Sequence, residues 1–322
     1  WDYKNLIRQG TLAKEWSAGY TITLDRFSAD LSEQARRISF QEFIGHQEEI
    51  KKVERILSKS EKNNVLLVGE PGSGRKSIVL ELAKRSFFGE SAPETNYKRV
   101  VRLDLTSLIA QVNPEEAEVV LDMILKEVLA AGNIMLVIDE FHNFFSHSAG
   151  SGFLNITGIL APYLNLPRFQ IIALTTYAGL HRQIEQNPSI LSLFGKVEVS
   201  EISESDTLRI LENRTFFTEQ KYKLFVSFQA LEDIIKFSAK YLKDLPFPEK
   251  AIELFDAVVS YVSQTRNKIV LREHVAKIVS EKTEIPVGEI ETKEKQVLLD
   301  LENLIHQRII NQEEAVREVS SA

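Results

Sequence analysis

The stretch Asn63-Asn64-Val65-Leu66-Leu67-Val68-Gly69-Glu70-Pro71-Gly72-Ser73-Gly74-Arg75-Lys76-Ser77-Ile78-Val79-Leu80 decides how the rest of the chain is read. Its unbroken apolar run, Val65 to Val68, suits a strand buried on both faces of a parallel sheet. Helical periodicity starts at Ile78 and continues through Leu82 and Ala83, so the glycines lie between a strand and a helix. That is the setting of a phosphate-binding loop: glycines let backbone N–H groups converge on an anion, and the helix N-terminus adds its positive dipole end. The strict pattern G-x-x-x-x-G-K-[ST] is not met, because Arg75 stands at the lysine place and Lys76 at the hydroxyl place. Two registers are open. If the glycines set it, Arg75 meets the outer phosphates and no hydroxyl occupies the Mg²⁺ place. If the loop bulges by one residue, Lys76 and Ser77 recover the usual pair. The first is preferred, since Ser77-Ile78 then begins the helix at the expected phase.

Three further apolar runs follow, Val100 to Leu105, Ile134 to Ile138 and Gln170 to Leu174, with helical stretches between them such as Ala117 to Leu129 and Ile156 to Leu164. Lys196 to Val199 closes the series. The alternation predicts an α/β fold, a parallel sheet with helices on both faces. After Ser203 strand-like runs stop and helical patterns dominate, which predicts a smaller all-helical domain. Its phenylalanines Phe216, Phe217, Phe225, Phe228 and Phe237 read as core of that domain. Upstream, residues 1 to 42 read as a lead-in, with Tyr20 to Leu24 extended.

The run Ile134 to Ile138 ends in Asp139-Glu140, and the carboxyl ends of parallel strands are where open α/β sheets bind ligands. Asp139 is the candidate Mg²⁺ ligand, and Glu140 the candidate general base that polarises an attacking water. Thr175, at the end of a later strand, is placed to orient that water or touch the terminal phosphate. His142 and His147 have a spacing that fits no helical two-histidine metal motif, so they read as polar loop histidines.

Composition bounds the alternatives. The chain has 322 residues with 43% hydrophobic and 26% charged, which is globular and long enough for two packed units. It has no cysteine, which removes disulfides, thiolate metal sites and a thiol nucleophile. A net charge of -7 argues against a broad grip on nucleic acid. No apolar run is long enough to span a bilayer, so neither nucleic-acid nor membrane contact is expected of this piece, and a cytoplasmic setting is. A first residue of Trp1 instead of Met suggests an excised fragment, with room upstream for a targeting or membrane segment.

From Asp25 to Ala315 the chain resembles the first AAA+ module of the Clp/Hsp100 ring unfoldases. The likeness rests on Phe43-Ile44-Gly45-His46, the Asn63 to Gly74 loop, Ile138-Asp139-Glu140-Phe141-His142, Leu160-Ala161-Pro162-Tyr163-Leu164, Ala173-Leu174-Thr175-Thr176 and Pro248-Glu249-Lys250-Ala251. Near the end, Ile309-Ile310-Asn311-Gln312-Glu313-Glu314 echoes Ile44-Gly45-His46-Gln47-Glu48-Glu49, as the entry to a second module would. The resemblance implies a P-loop sheet of five parallel strands in the order 5-1-4-3-2 and a helical lid. The domains are then 1–42 lead-in, 43–202 nucleotide-binding, 203–281 lid, and 282–322 linker with the start of a truncated second module. It also implies ATP or ADP with Mg²⁺, a homo-hexamer, protein substrates and a peptidase partner. Gly69, Glu70, Pro71, Gly72, Ser73, Gly74, Arg75, Lys76 and Ser77 would hold the nucleotide phosphates, with Ile44 and Gly45 at the adenine; Asp139, Glu140 and Thr175 would be catalytic.

The departures from that family are as informative. Where it carries an arginine that reaches the neighbouring subunit's nucleotide, this chain reads Ile190-Leu191-Ser192-Leu193-Phe194. In related nucleotide hydrolases such an arginine is worth about 10³- to 10⁵-fold in rate. Ala110-Gln111-Val112-Asn113-Pro114 lacks the aromatic that grips a threaded chain, and Lys243-Asp244-Leu245-Pro246-Phe247 lacks the lid arginine. The expectation is a module retained for binding, ring assembly or transmission, with weak or lost hydrolysis. A ring segment that binds no nucleotide and a DNA-handling AAA+ regulator are the competing readings.

Overall fold

The computed structural model describes residues 21–37, 42–145, 156–265 and 267–285. The stretch Ser146-His147-Ser148-Ala149-Gly150-Ser151-Gly152, a loop by composition, and most of the 282–322 segment lie outside them. The chain divides into two compact units, the first running to Asp206 and including Leu245–Pro248, the second holding Thr207–Asp244 and the chain from Glu249 onward.

In the first unit, α1 (Ile22–Arg26), β1 (Ser28–Asp30) and α2 (Leu31–Arg37) precede α3 (Gln47–Leu57), β2 (Asn64–Val68) and α4 (Arg75–Phe88). Then come β3 (Arg99–Leu103), α5 (Leu105–Gln111), α6 (Pro114–Ala131), β4 (Ile134–Ile138), α7 (Ile156–Leu164), β5 (Gln170–Thr175) and β6 (Phe194–Glu198). Every residue of β2, β4 and β5 is buried, as continuous apolar runs require of strands covered on both faces. Leu121 and Leu125 of α6 pack with Leu66 and Leu136 on one face of the sheet. Ile50 and Val53 of α3 and Leu82 of α4 pack with Val65 and Leu67 on the other.

The sheet order is β1-β3-β4-β5-β2-β6. Numbering the parallel strands β2 to β6 as first to fifth, this is the expected 5-1-4-3-2, and β1 adds a sixth, antiparallel edge strand pairing Ser28 with Leu103 and Asp30 with Val101. The lead-in is therefore part of the sheet domain from residue 21 onward. Tyr20 to Leu24 was expected to be extended, whereas Ile22–Arg26 is a helix whose first N–H groups meet the Glu127 carboxylate of α6, Leu24 N at 2.9 Å and Thr23 N at 3.2 Å. That carboxylate satisfies the helix's open N–H groups from about a hundred residues away, which is why local pattern does not show it. Arg99 locks the edge: its Nε donates to Asp30 at 2.8 Å, its Nη2 to Asp25 at 2.7 Å and its Nη1 to Thr21 at 3.2 Å.

The second unit contains most of α8 (Glu204–Tyr222), with β7 (Phe225–Val226), α9 (Phe228–Tyr241), α10 (Glu249–Gln264), β8 (Ile269–Val270) and α11 (Arg272–Thr283). Its described secondary structure is helical apart from the two-residue parallel pair β7 and β8. Arg272 clamps the buried Asp233 through two bonds of 2.6 and 2.8 Å, joining α11 to α9. The phenylalanines do not form its core: Phe216, Phe217, Phe225 and Phe228 are exposed, and Phe237 is half-buried. In α8 the buried positions are Thr207, Leu211 and Thr215, a spacing of four that turns Phe216 and Phe217 outward. The core comes instead from residues such as Ile234, Leu254, Phe255 and Val258.

Candidate functional site

Three strand ends of the first unit bring the candidate residues together. Because β2, β4 and β5 are adjacent and parallel, the loop Gly69–Gly74, the pair Asp139-Glu140 and Thr175 emerge side by side at one edge of the sheet. Gly69 N–H donates to Thr175 O at 3.2 Å, tying the loop's first residue to the end of β5. Gly72 and Gly74 have φ of 84° and 99°, left-handed values that favour glycine. A Cβ on Gly74 would come within 2.8 Å of His46 Nε2, so the loop is closed against that ring.

Helix α4 begins at Arg75, with Gly74 as its N-cap, two residues ahead of the expected Ser77. Ile78 N–H donates to Gly74 O at 3.0 Å, so the helix follows the second glycine with no inserted residue and the glycines set the register. Arg75 is buried at 6% exposure and one guanidinium nitrogen lies 3.6 Å from Glu140 Oε1. Its other terminal nitrogen, Nη1, and the Ser73 hydroxyl are buried with no hydrogen-bond partner. Buried polar groups are nearly always paired, and two unpaired donors where the glycine-rich loop meets the start of α4 mark a place for an acceptor-rich ligand.

The acids are arranged unusually. Glu140 has φ of 46°, a left-handed conformation a glutamate rarely adopts, and such strain concentrates at functional sites. Asp139 Oδ1 accepts the Glu140 backbone N–H at 3.0 Å, and Oδ2 accepts the Lys76 ammonium at 2.8 Å. These residues do not fit Mg²⁺ in the expected way. Mg²⁺ in such sites draws on a loop hydroxyl and a strand-end carboxylate, both as oxygen ligands. Here the hydroxyl place carries an ammonium, and both oxygens of the carboxylate have partners. The expectation that Asp139 holds a metal meets a lysine already bound to it.

Two histidines that stand in the quoted motifs, but to which the sequence reading gave no role in the site, complete it. His142 bridges Glu140 Oε2, at 3.4 Å, and Thr175 Oγ1, at 3.1 Å. Burial pushes its imidazole below the usual histidine range, Arg75 pushes it the same way, and Glu140 and Asp139 oppose them. Its place two residues after Glu140, on a 3-10 turn from Phe141 to Phe145, was the available signal. His46 Nε2 lies 2.8 Å from Ser73 O, which anchors the loop to the segment holding Ile44 and Gly45. Ile44 is buried, and Gly45 faces Ile202, whose Cγ2 would be 3.1 Å from a Cβ there. His147 lies outside the described residues; among those described, no cluster of three His, Cys, Asp or Glu residues is arranged to hold a metal.

Comparison with known proteins agrees with this architecture. Residues 203–313 match the AAA lid domain family. The chain is 31% identical to the ATP-dependent Clp protease ATP-binding subunit ClpA homolog of Guillardia theta, over 94% of this chain and 45% of that protein. It is 29% identical to the negative regulator of genetic competence ClpC/MecB of Bacillus subtilis, again over 94% and 45%. Among solved structures, Hsp104 with ATPγS and FITC casein superposes with a TM-score of 0.80 at 26% identity, covering 93% of this chain and 53% of that one. The S. cerevisiae Hsp104-ADP complex does so with a TM-score of 0.80 at 25% identity, covering 93% and 52%. The chain thus spans about half the length of the curated relatives it matches. With the sheet order, the glycine loop and the helical second unit all in agreement, this chain belongs to the Clp/Hsp100 family of AAA+ proteins.

Proposed function

We propose that this chain is a nucleotide-binding AAA+ module of a Clp/Hsp100-type protein-unfolding ring, in which its own ATP hydrolysis is weak or lost. The observation that carries the reading is the loop at the end of β2, where the Ser73 hydroxyl and Arg75 Nη1 are buried without partners and await an acceptor-rich group such as a phosphate. In this reading residues Gly69 to Ser77 hold the phosphates, Ile44 and Gly45 flank the adenine, and Arg75 takes the part of the usual lysine. Glu140, Asp139 and Thr175 keep the places of catalytic residues. Slow turnover follows from two features of the chain: Glu140 is engaged by Arg75 and His142 on its two oxygens, and Ile190 to Phe194 supplies no arginine for a neighbouring site.

The wider assembly belongs to the same proposal: a homo-hexamer acting on protein substrates, working with a peptidase, in the cytoplasm, with fast hydrolysis supplied by another module of the ring. Residues 203–281 act as the lid, and the segment after 281 leads into that further module. Support comes from the likeness to a Clp protease subunit and to Hsp104 seen with casein. No described helix is long and apolar enough to cross a membrane.

Calorimetric titration of the chain with ADP and with ATP tests the binding. Saturable heat is expected; none at high micromolar nucleotide would reduce the module to a structural ring segment. Turnover is tested separately. Hydrolysis at several turnovers per second, abolished by Glu140→Gln, would overturn the claim of weak chemistry.

A further inference from the structure

Lys76 stands where the phosphate loop ordinarily places a hydroxyl, and its ammonium reaches Asp139 at 2.8 Å. Asp139 is the acid that would ordinarily take the metal. The second Asp139 oxygen is held by the Glu140 N–H, so the carboxylate is satisfied by two donors with no cation but the lysine. Lys76 and Asp139 also line a cavity of about 190 Å³ between α2, α4 and the ends of the strands, together with Leu31, Gln34 and Arg102. The cavity therefore presents two cationic side chains to one carboxylate. A divalent ion entering there would share the cavity with a second cationic side chain and would have to displace a hydrogen-bonded ammonium from its ligand.

We propose that the Lys76 ammonium, bound to Asp139, takes the place of Mg²⁺, so that this site holds the phosphates of an adenine nucleotide without a metal ion. The inference rests on the nucleotide-binding reading above and deepens it. The buried unpartnered groups, Ser73 Oγ and Arg75 Nη1, supply donors to the phosphates. Lys76 supplies the neighbouring positive charge that a metal would have given. An ammonium is a compact, strongly hydrated point charge on a flexible stem, and its side chain here is 67% exposed, so it can swing between Asp139 and a phosphate oxygen. It cannot organise a water shell as Mg²⁺ does, which agrees with a site that binds and does not turn over.

The test is calorimetry with ADP in EDTA and again in excess Mg²⁺, on the native chain and on Lys76→Thr and Lys76→Met. Native protein is expected to bind ADP in EDTA, and Mg²⁺ is expected to weaken binding about fivefold or more, the size of an ordinary coupling between competing ligands. Lys76→Thr restores the hydroxyl and should reverse the preference, binding more tightly with Mg²⁺ than without. Lys76→Met supplies neither charge nor hydroxyl and should lose about fivefold or more of the affinity in EDTA. Because the Lys76 side chain is exposed, both variants are expected to melt close to the native temperature. Tighter binding of ADP by the native chain in Mg²⁺ than in EDTA overturns the proposal, as does a Lys76→Thr variant that keeps the native response to Mg²⁺. Absence of binding under both conditions overturns the nucleotide-binding reading itself.

Discussion

The His142 ring and the Thr175 hydroxyl share a hydrogen bond of 3.1 Å across the ends of β4 and β5, and the other ring nitrogen faces Glu140 Oε2 at 3.4 Å. One imidazole thus connects the candidate base to the candidate sensor of the terminal phosphate. The ring also packs against Gly179, where an added Cβ would collide with the imidazole. With the imidazole held below the usual histidine range, mainly by burial, the folded state resists its protonation. Stability contributed here is present above the unfolded value near 6.5 and is lost as pH falls through and below it. Replacing His142 by Gln is expected to lower stability at neutral pH by about 1 kcal/mol, because the buried Thr175 hydroxyl loses a partner, and to make the loss on acidification smaller than in the native chain. Urea unfolding midpoints at about pH 7.5 and pH 5.5 give both differences; an unchanged acid response would contradict the assignment.

Gly74 is required by both its backbone and its neighbour. Its φ is 99°, and a Cβ would press on His46 Nε2 at 2.8 Å, the atom that bonds Ser73 O. Gly74→Ala is expected to cost about 1 to 3 kcal/mol and to weaken ADP binding, since the loop must shift to relieve the clash. Chemical denaturation and the ADP titration measure the two effects.

Arg99 joins the added edge strand to the sheet. Its side chain is 9% exposed and pairs with Asp25 at 2.7 Å and Asp30 at 2.8 Å. Arg99→Leu leaves those carboxylates facing each other beside an apolar group, and a loss of about 3 kcal/mol is expected. Proteolysis should then cut first in residues 21–37 if that segment detaches; cleavage in the core instead would contradict the role given to Arg99.

Lys98 carries a separate pH signature. Burial pushes its ammonium down to about 8, and its Nζ donates to Gln170 Oε1 at 2.6 Å. The unfolded chain holds that proton more tightly, with a value near 10.4, so folding is penalised below about pH 8 and the penalty is relieved as pH rises toward 10.4. Between about pH 8 and pH 10 the native chain should gain on the order of 2 kcal/mol relative to Lys98→Met, as read from the difference in unfolding free energies.

Much of the fold was legible because its signals are local. Apolar runs such as Val65 to Val68 and Ile134 to Ile138 suit strands covered on both faces when they alternate with helical periodicity, and acids at a strand's carboxyl end are where ligands gather. The phosphate loop, too, was recognisable from its glycines and its neighbours. The exposed phenylalanines were misread as core because hydrophobicity alone does not say which way a helix faces; Thr207, Leu211 and Thr215 set that direction. The lead-in was obscure because Leu24 and Phe27 find their partners, and α1 its cap on Glu127, about a hundred residues downstream.

Residue order alone settled which chemical groups are available: an arginine and a lysine in a loop that usually carries a lysine and a hydroxyl, two acids after a buried strand, and no arginine between Ile190 and Phe194. It could not say which cation meets which acid. That pairing, Lys76 with Asp139 and Arg75 with Glu140, exists only because parallel strands β2 and β4 flank β5 and deliver their ends to one edge, while the left-handed turns at Gly74 and Glu140 aim the side chains. Contacts between groups more than sixty residues apart are set by the packing of the sheet, and packing is a property of the folded whole.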